Sequence, residues 1–250
     1  MTMENENIYD KIREILGETP ANFNILEEKI DVDLQIEYFE FSKNIKKDVK
    51  KEEILIKKED IFNMALSEKL RMTRFTELAS IDTVEAYRTI ERYLKSPLTS
   101  LRQWAILALQ ESRMLLESRL LDENQVFIST GLGGKGSKLR YFVVLLLKPG
   151  KEFSELNKKI VRNELEIILN KYKCEIENLS FTGKYATLMA IIPLQVPVQQ
   201  IFRESVKECN LYGNFLKPNF IITNVKELSK AEIDEFLRNK RKTQQGNTDD

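Results

Sequence analysis

The chain has 250 residues, of which 42% are hydrophobic and 31% charged, and its 39 Lys and Arg residues balance its 39 Asp and Glu residues. This length allows one large domain or two modest ones, and the apolar share is enough for a packed core. Because the sequence contains no histidine, it excludes Ser-His-Asp triads, Cys-His dyads and zincin motifs.

The charges and the two cysteines narrow the function classes further. Residues 1–60 hold 10 Lys and Arg against 16 Asp and Glu, whereas residues 126–250 hold 20 against 14. An excess of six positive charges over the second range is smaller than a nucleic-acid footprint requires. Cys174 and Cys209 are far apart in sequence, so we expect two reduced, packed thiols and no metal site.

No apolar run approaches the ~20 residues of a membrane span, and the N-terminus is acidic and polar, unlike a signal peptide. We therefore expect a cytoplasmic chain without a membrane segment. Residues 3–16 are predicted to form a first helix. Residues 22–41 alternate like a strand in part, but their context favours a helix. Residues 43–60 are mostly charged, which is typical of a solvated helix face.

The clearest helical pattern lies between Asp82 and Leu121. Asp82 and Glu85 form a helix start signal, and apolar residues then recur every three or four positions. These residues are Val84, Tyr87, Ile90 and Leu94. Pro97 ends this helix and suits the first turn of the next one. The pattern predicts two antiparallel helices joined by a tight turn.

The second helix of this pair resembles the second helix of a HEAT repeat. The resemblance is carried by Leu101 and Arg102, followed by two small residues at packing positions, Ala105 and Ala108. It implies a helix–turn–helix unit over residues 82–118. One such unit cannot bury its own face, so a degenerate preceding unit is expected, with its second helix over residues 67–81.

The pattern changes from helical to strand-like after Gln125. Strands are predicted at 126–130, 139–147, 174–181, 185–193 and 218–225, and helices at 154–172, 197–211 and 229–238. From 139 to 225 the order is strand, helix, strand, strand, helix, strand. This order resembles the ferredoxin-like split βαβ arrangement.

The predicted fold class is therefore α+β, with an all-α HEAT-like array followed by a ferredoxin-like βαββαβ sandwich. The expected domains are residues 1–122, residues 123–238 and a disordered tail at 239–250. Right-handed crossovers would place the 139–147 strand in the sheet centre and the 174–181 strand at an edge. A central strand already has two neighbours, so the pairing of residues 126–130 stays open.

One loop, residues 131–138, has a composition suited to anion binding, because glycine geometry lets backbone N–H groups converge on a ligand. The candidate ligand-binding residues are Gly131, Gly133, Gly134, Lys135, Gly136, Ser137, Lys138 and Arg140. The loop does not fit the Walker A pattern, and no helix follows it to receive a phosphate. The favoured interpretation is a mobile connection between strands, and the alternatives are an anion or nucleotide site and a loop that contacts a partner. No catalytic or metal-binding residue and no cofactor is predicted.

These patterns lead to an expected function. The prediction is a non-enzymatic, cytoplasmic protein-interaction or regulatory protein, with another protein as its partner and at most a weak homodimer. Nucleic acid and membrane are not expected as partners. Whether the chain is an enzyme stays open, with the balance against it. The alternative is a small-anion or nucleotide-binding protein that uses the glycine-rich loop.

Overall fold

The computed structural model describes residues 23–45, 50–121 and 126–245. The chain divides into two compact units, residues 1–139 with 193–197 and residues 140–192 with 198–250. The predicted helix at 3–16 and the predicted boundary between residues 122 and 123 lie outside the described residues. The predicted domain division stays a prediction.

The described part of the first unit is mainly helical. Its α-helices are α1 (Val32–Ile45), α2 (Lys51–Ile56), α3 (Glu68–Ala79), α4 (Val84–Lys95) and α5 (Arg102–Leu121), with a 3₁₀ helix at Lys58–Phe62. The helical pair predicted from Asp82 onwards is confirmed as α4 and α5. The charged segment at 43–60 is only partly α-helical, in α2 and the end of α1.

The face that α4 buries differs from the predicted stripe. The N-cap is Thr83, whose side chain accepts a hydrogen bond from the N–H of Ala86. Val84 is 61% exposed, whereas Ala86, Ile90 and Tyr93 are fully buried. The reason is tertiary: α4 packs on both α3 and α5, and these two neighbours together select a face that includes the small Ala86.

Trp104 of α5 lies in the core of the first unit. Its ring packs edge-on against Tyr38 of α1 at 5.0 Å, and its indole N–H donates to the carbonyl of Met72 at 3.2 Å. Ala105 and Ala108 are fully buried on the same helix, as the small-residue pattern predicted.

Three short strands complete the first unit. β1 (Phe23–Ile25) pairs in parallel with β2 (Val126–Ile128), and β3 (Gly134–Lys135) pairs with the first two residues of the next strand. The open question about residues 126–130 is thereby answered, since β2 pairs with a segment about 100 residues earlier. The helix prediction for 22–41 is wrong for the β1 residues and right from Val32 onwards.

The second unit contains the main sheet. Its elements are β4 (Lys138–Leu147), α6 (Glu155–Lys171), β5 (Glu175–Phe181), β6 (Tyr185–Pro193), α7 (Val198–Leu211), β7 (Leu216–Thr223) and α8 (Lys230–Gln245). The first two residues of β4 and the last residue of β6 are counted with the first unit. The strand order is β7–β4–β6–β5. β4 is central and buried along most of its length, and β5 lies at an edge, as predicted. The β5–β6 and β4–β7 pairs are antiparallel.

Local hydrogen bonds explain where the last helices begin. Ser154 and Asn157 form a reciprocal capping box at the start of α6, and Ser229 and Glu232 form one before α8. α8 continues to Gln245, past the predicted end near Arg238, because no proline or glycine interrupts the sequence before Gly246.

The observed class is mixed α+β, with a helical first half and a largely antiparallel sheet in the second, which confirms the coarse prediction. Among the residues described, no helix combines the length and apolarity needed to span a bilayer.

Candidate functional site

The predicted glycine-rich loop is a packed connection in the first unit. Residues 131–134 are buried, whereas residues 135–137 are exposed. Gly133 donates its N–H to the carbonyl of Thr130 at 3.1 Å, and Gly134 donates to the carbonyl of Glu27 at 3.3 Å. The N–H of Gly136 donates to the Glu27 carboxylate at 2.9 Å. Three of the N–H groups expected to converge on a ligand are therefore bound within the unit.

The glycines at 133 and 134 also permit close packing. A Cβ atom on Gly133 would lie 2.4 Å from the carbonyl oxygen of Glu27, and one on Gly134 would lie 2.3 Å from that of Lys138. A substitution at either position therefore disturbs packing before it reports on any ligand. Binding of an anion by this loop stays a prediction, and the packing alone accounts for these two glycines.

The remaining residues predicted to bind a ligand differ in their exposure to solvent and in the unit to which they belong. Lys135 and Ser137 are exposed, Lys138 is half-buried, and Gly131 is buried in the loop. Arg140 belongs to the second unit, where its guanidinium binds the Glu177 carboxylate through Nε at 2.5 Å and Nη2 at 2.9 Å. Arg140 is therefore held by a protein carboxylate in a bidentate pair.

Neither cysteine is arranged for chemistry. Both are buried and reduced, and burial raises the pKa of Cys209 to about 12. Across the described ranges, no cluster of three or more His, Cys, Asp or Glu side chains is placed to hold a metal ion.

The sequence patterns did not indicate the cleft that the second unit forms between α7 and β7. This cleft has a volume of about 550 Å³ and is lined by Arg203, Val206, Lys207, Asn210, Leu211, Pro218 and Asn219. We call it the α7–β7 cleft. Helix α7 buries Ile201, Phe202 and Val206 against the unit. The helical repeat then leaves Arg203 and Lys207, one turn apart, on an exposed face.

The β7 wall of the cleft is an irregular sheet edge. Leu145 pairs with Phe220 and Leu147 pairs with Leu216, so three residues of β7 stand opposite one residue of β4. The extra residues, 217–219, form a bulge that contains Pro218, which has no N–H to offer a further strand. Asn219 is exposed in this bulge, and its side chain makes no hydrogen bond within the described chain.

The cations of the cleft differ from others in the same unit. Lys158, Lys171 and Lys226 each pair with a glutamate. Arg203 donates to the neutral side-chain oxygen of Gln199 at 3.2 Å, and neither it nor Lys207 forms an ion pair in the part of the chain that the structure describes. The two positive charges therefore remain available to an anion from solution.

One acidic residue of α7, Glu204, is bonded to the end of α6. Glu204 accepts hydrogen bonds from Lys171 and from the Tyr172 hydroxyl, both near the end of α6. Its hydrogen bond with Lys171 is the largest of the effects that lower its pKa. Leu211, which lines the cleft, is 69% exposed, and the adjacent Tyr212 is 61% exposed. The cleft thus combines two cations, a free amide and exposed apolar side chains.

No known family matches the chain, and no curated protein matches its sequence. Among solved structures, one similar chain is a REP-associated tyrosine transposase bound to a REP hairpin. It is 13% identical with a TM-score of 0.31, and the match covers 36% of this chain and 57% of that one. Another is assigned as a transposase of Deinococcus radiodurans R1, at 17% identity and a TM-score of 0.36, with 42% and 93% covered.

These neighbours correct the predicted class. One neighbour is a transposase bound to a REP hairpin and the other is assigned as a transposase, so the prediction of a non-enzymatic protein-interaction or regulatory protein is wrong. The prediction that nucleic acid is not a partner is also wrong. The neighbours give no support to a HEAT-repeat assignment. At these identities and TM-scores the likeness assigns no activity to this chain.

Proposed function

We propose that the second unit binds nucleic acid, with one strand lying in the α7–β7 cleft. The observation that carries this proposal is the placement of Arg203 and Lys207 one turn apart along the cleft, without carboxylate partners among the described residues. Guanidinium and ammonium groups supply most nonspecific affinity for a phosphate backbone. An Arg can also hold a phosphate through two parallel hydrogen bonds.

The neutral residues of the cleft favour an unpaired strand over a duplex. Leu211 and Tyr212 are exposed at the end of α7, and unstacked bases pack on apolar and aromatic side chains in this way. Asn219 offers an amide that can bond a base edge. Asn210 has another role, because its amide bonds the backbone of Leu216 in both directions and so fixes the start of β7.

The sheet edge argues against a protein strand as the occupant. An added β-strand needs a regular row of N–H and C=O groups. The bulge at 217–219 and the proline inside it interrupt that row. A flexible anionic chain makes no such demand on the backbone.

The order of elements supports a finer description of this unit. Along the chain it runs β4, α6, β5, β6, α7, β7, and across the sheet β7–β4–β6–β5. We propose a ferredoxin-like arrangement for residues 139–225 on this basis. Such a fold by itself implies no activity, so the proposal of nucleic-acid binding rests on the cleft.

The test is fluorescence anisotropy with the full chain and a labelled DNA hairpin that carries a single-stranded flank, with a blunt duplex as comparison. The double variant Arg203→Ala with Lys207→Ala should weaken binding by about tenfold or more at low salt, since hydrogen bonds to charged groups are worth ~1.5–3 kcal/mol each. It should also flatten the salt slope by about 1.4, at ~0.7 per single-strand phosphate contact.

Lys184 provides a control for net charge. It is exposed in the turn between β5 and β6, away from the residues that line the cleft, so Lys184→Ala should bind like the unmodified chain. Equal affinity and equal salt slope in the double variant would show that the cleft is not the binding site.

A further inference from the structure

The first unit contains a buried arginine whose charge is poorly compensated. Arg71 of α3 is only 2% exposed. Its Nη1 contacts the sulfur of Met64 at 3.1 Å, its Nη2 contacts the Ser100 hydroxyl at 3.3 Å, and its Nε has no hydrogen-bond partner. The nearest carboxylate, Glu68, lies 3.9 Å away and is 67% exposed. A thioether and one hydroxyl replace little of the hydration that a guanidinium loses on burial, so burying this charge costs free energy of folding.

Another arginine of the same helix shows how this chain normally compensates such a group. Arg74 is less buried than Arg71, with 16% of its side chain exposed, yet it binds two carboxylates, Asp60 at 3.1 Å and Glu77 at 2.6 Å. The contrast is therefore local to Arg71 and does not reflect a shortage of acidic residues around α3.

The position of Arg71 adds a second source of positive potential. It lies in the first turn of α3, which begins after the N-cap Ser67, and its contacts with Met64 and Ser100 place the guanidinium towards the N-terminal end of the helix. Backbone N–H groups at a helix start carry partial positive charge. Those of Glu68 and Lys69 have no hydrogen-bond partner within the described residues.

From these contacts we infer that Arg71, Ser100 and the start of α3 form a binding site for a compact oxyanion, either free phosphate or the terminal phosphate of a small molecule. The hydroxyl and the guanidinium supply hydrogen bonds, and the helix start supplies further N–H donors. Met64, whose sulfur contacts Nη1, is 56% exposed, and Ser100 is exposed as well. A turn of the flexible Met64 and Glu68 side chains gives an anion access to Nη1 and Nη2.

The test is the thermal midpoint of the full chain against phosphate concentration, at constant ionic strength. A ligand that binds only the folded state raises the midpoint in a concentration-dependent manner. Arg71→Met keeps the volume, removes the charge, and should weaken phosphate binding by about tenfold or more. Arg74→Met removes a cation that already has partners, so the phosphate effect should persist.

Further measurements distinguish a loss of binding from a loss of folding, this site from the α7–β7 cleft, and a phosphate ester from the free ion. Ser100→Ala leaves the buried charge in place and should also weaken binding, which keeps the inference testable if Arg71→Met fails to fold. The effect should survive Arg203→Ala with Lys207→Ala, so its outcome is independent of the proposed nucleic-acid site. Glycerol 2-phosphate that binds as well as inorganic phosphate identifies an ester as the ligand, and binding of inorganic phosphate alone identifies the free ion. No phosphate effect in the unmodified chain, or an undiminished effect in Arg71→Met, would overturn the inference.

Discussion

A protein can require glycine because the backbone has a positive φ or because a Cβ atom would clash with a neighbour. Three glycines of the loop at 131–138 allow these two causes to be measured separately. Gly136 has a φ of +58° and no atom within 4 Å of an added Cβ. Gly134 has no positive φ but would place a Cβ 2.3 Å from the Lys138 carbonyl oxygen and 2.7 Å from the Ile25 side chain. Gly133 combines both, with a φ of +66° and backbone oxygens at 2.4 and 2.6 Å. Gly136→Ala therefore tests the backbone conformation, Gly134→Ala tests the packing, and Gly133→Ala tests both together.

The expected costs follow from these distances. A left-handed conformation costs a residue with a Cβ about 1 kcal/mol, which is the whole expectation for Gly136→Ala. Overpacking against rigid neighbours costs ~1–3 kcal/mol, and the neighbours here are largely backbone, so Gly134→Ala should lie in the upper part of that range. Gly133→Ala should lose about 3–4 kcal/mol of unfolding free energy, because the two costs add and its close neighbours are all backbone atoms.

The assay is chemical denaturation of the full chain, followed by circular dichroism and Trp104 fluorescence. Trp104 is the single tryptophan and lies in the core of the first unit, to which the loop also belongs. It therefore reports on the unit that is perturbed. The reasoning is refuted if Gly133→Ala is no more destabilising than Gly136→Ala, since the close backbone approach would then carry no energy.

Two further predictions concern packing and pH. Ala105→Leu should lower the thermal midpoint, at a cost of ~1–3 kcal/mol in stability, because Ala105 is fully buried. Ala65→Leu, at an exposed position, should leave the midpoint unchanged. Equal midpoints for the two variants would contradict the placement of Ala105. Hydrogen bonds from Lys226 and Ser229 lower the pKa of Glu232 from 4.5 to about 2. The stabilisation at the start of α8 should therefore be complete above pH 4.5 and lost as the pH falls towards 2. Amide exchange at the first turn of α8 measures this loss, and a Glu232→Gln chain that shows the same pH dependence would contradict it.

Most helices and strands were predictable because their signals are local. The helical spacing of apolar residues from Val84 to Leu94 and the strand pattern at 139–147 each act within a few residues. The two alanines of α5 were also predictable, because small residues at helical spacing indicate close packing. These features depend on neighbours in sequence, and the structure confirms them.

The α7–β7 cleft was harder to predict. The spacing of Arg203 and Lys207 is visible in the sequence, but many exposed cations share that spacing. Whether such cations have ion-pair partners depends on contacts between distant residues, such as the bonds of Glu204 with Lys171 and Tyr172 of the α6 end, and these leave no pattern in the sequence. The same holds for Arg71, since its position in a helical segment does not reveal that its neighbours are Met64 and Ser100.

The sequence by itself determined the class of most described segments and the change from helices to strands near residue 125, since propensity, caps and hydrophobic periodicity are properties of short windows. Only the tertiary structure decided the partner of β2, the buried face of α4 and the role of the glycines at 133 and 134. Each of these depends on a contact between residues distant in sequence. Glycine is required at 133 because the Glu27 carbonyl comes within 2.4 Å of where a Cβ would stand, and this close approach exists only once the chain has folded.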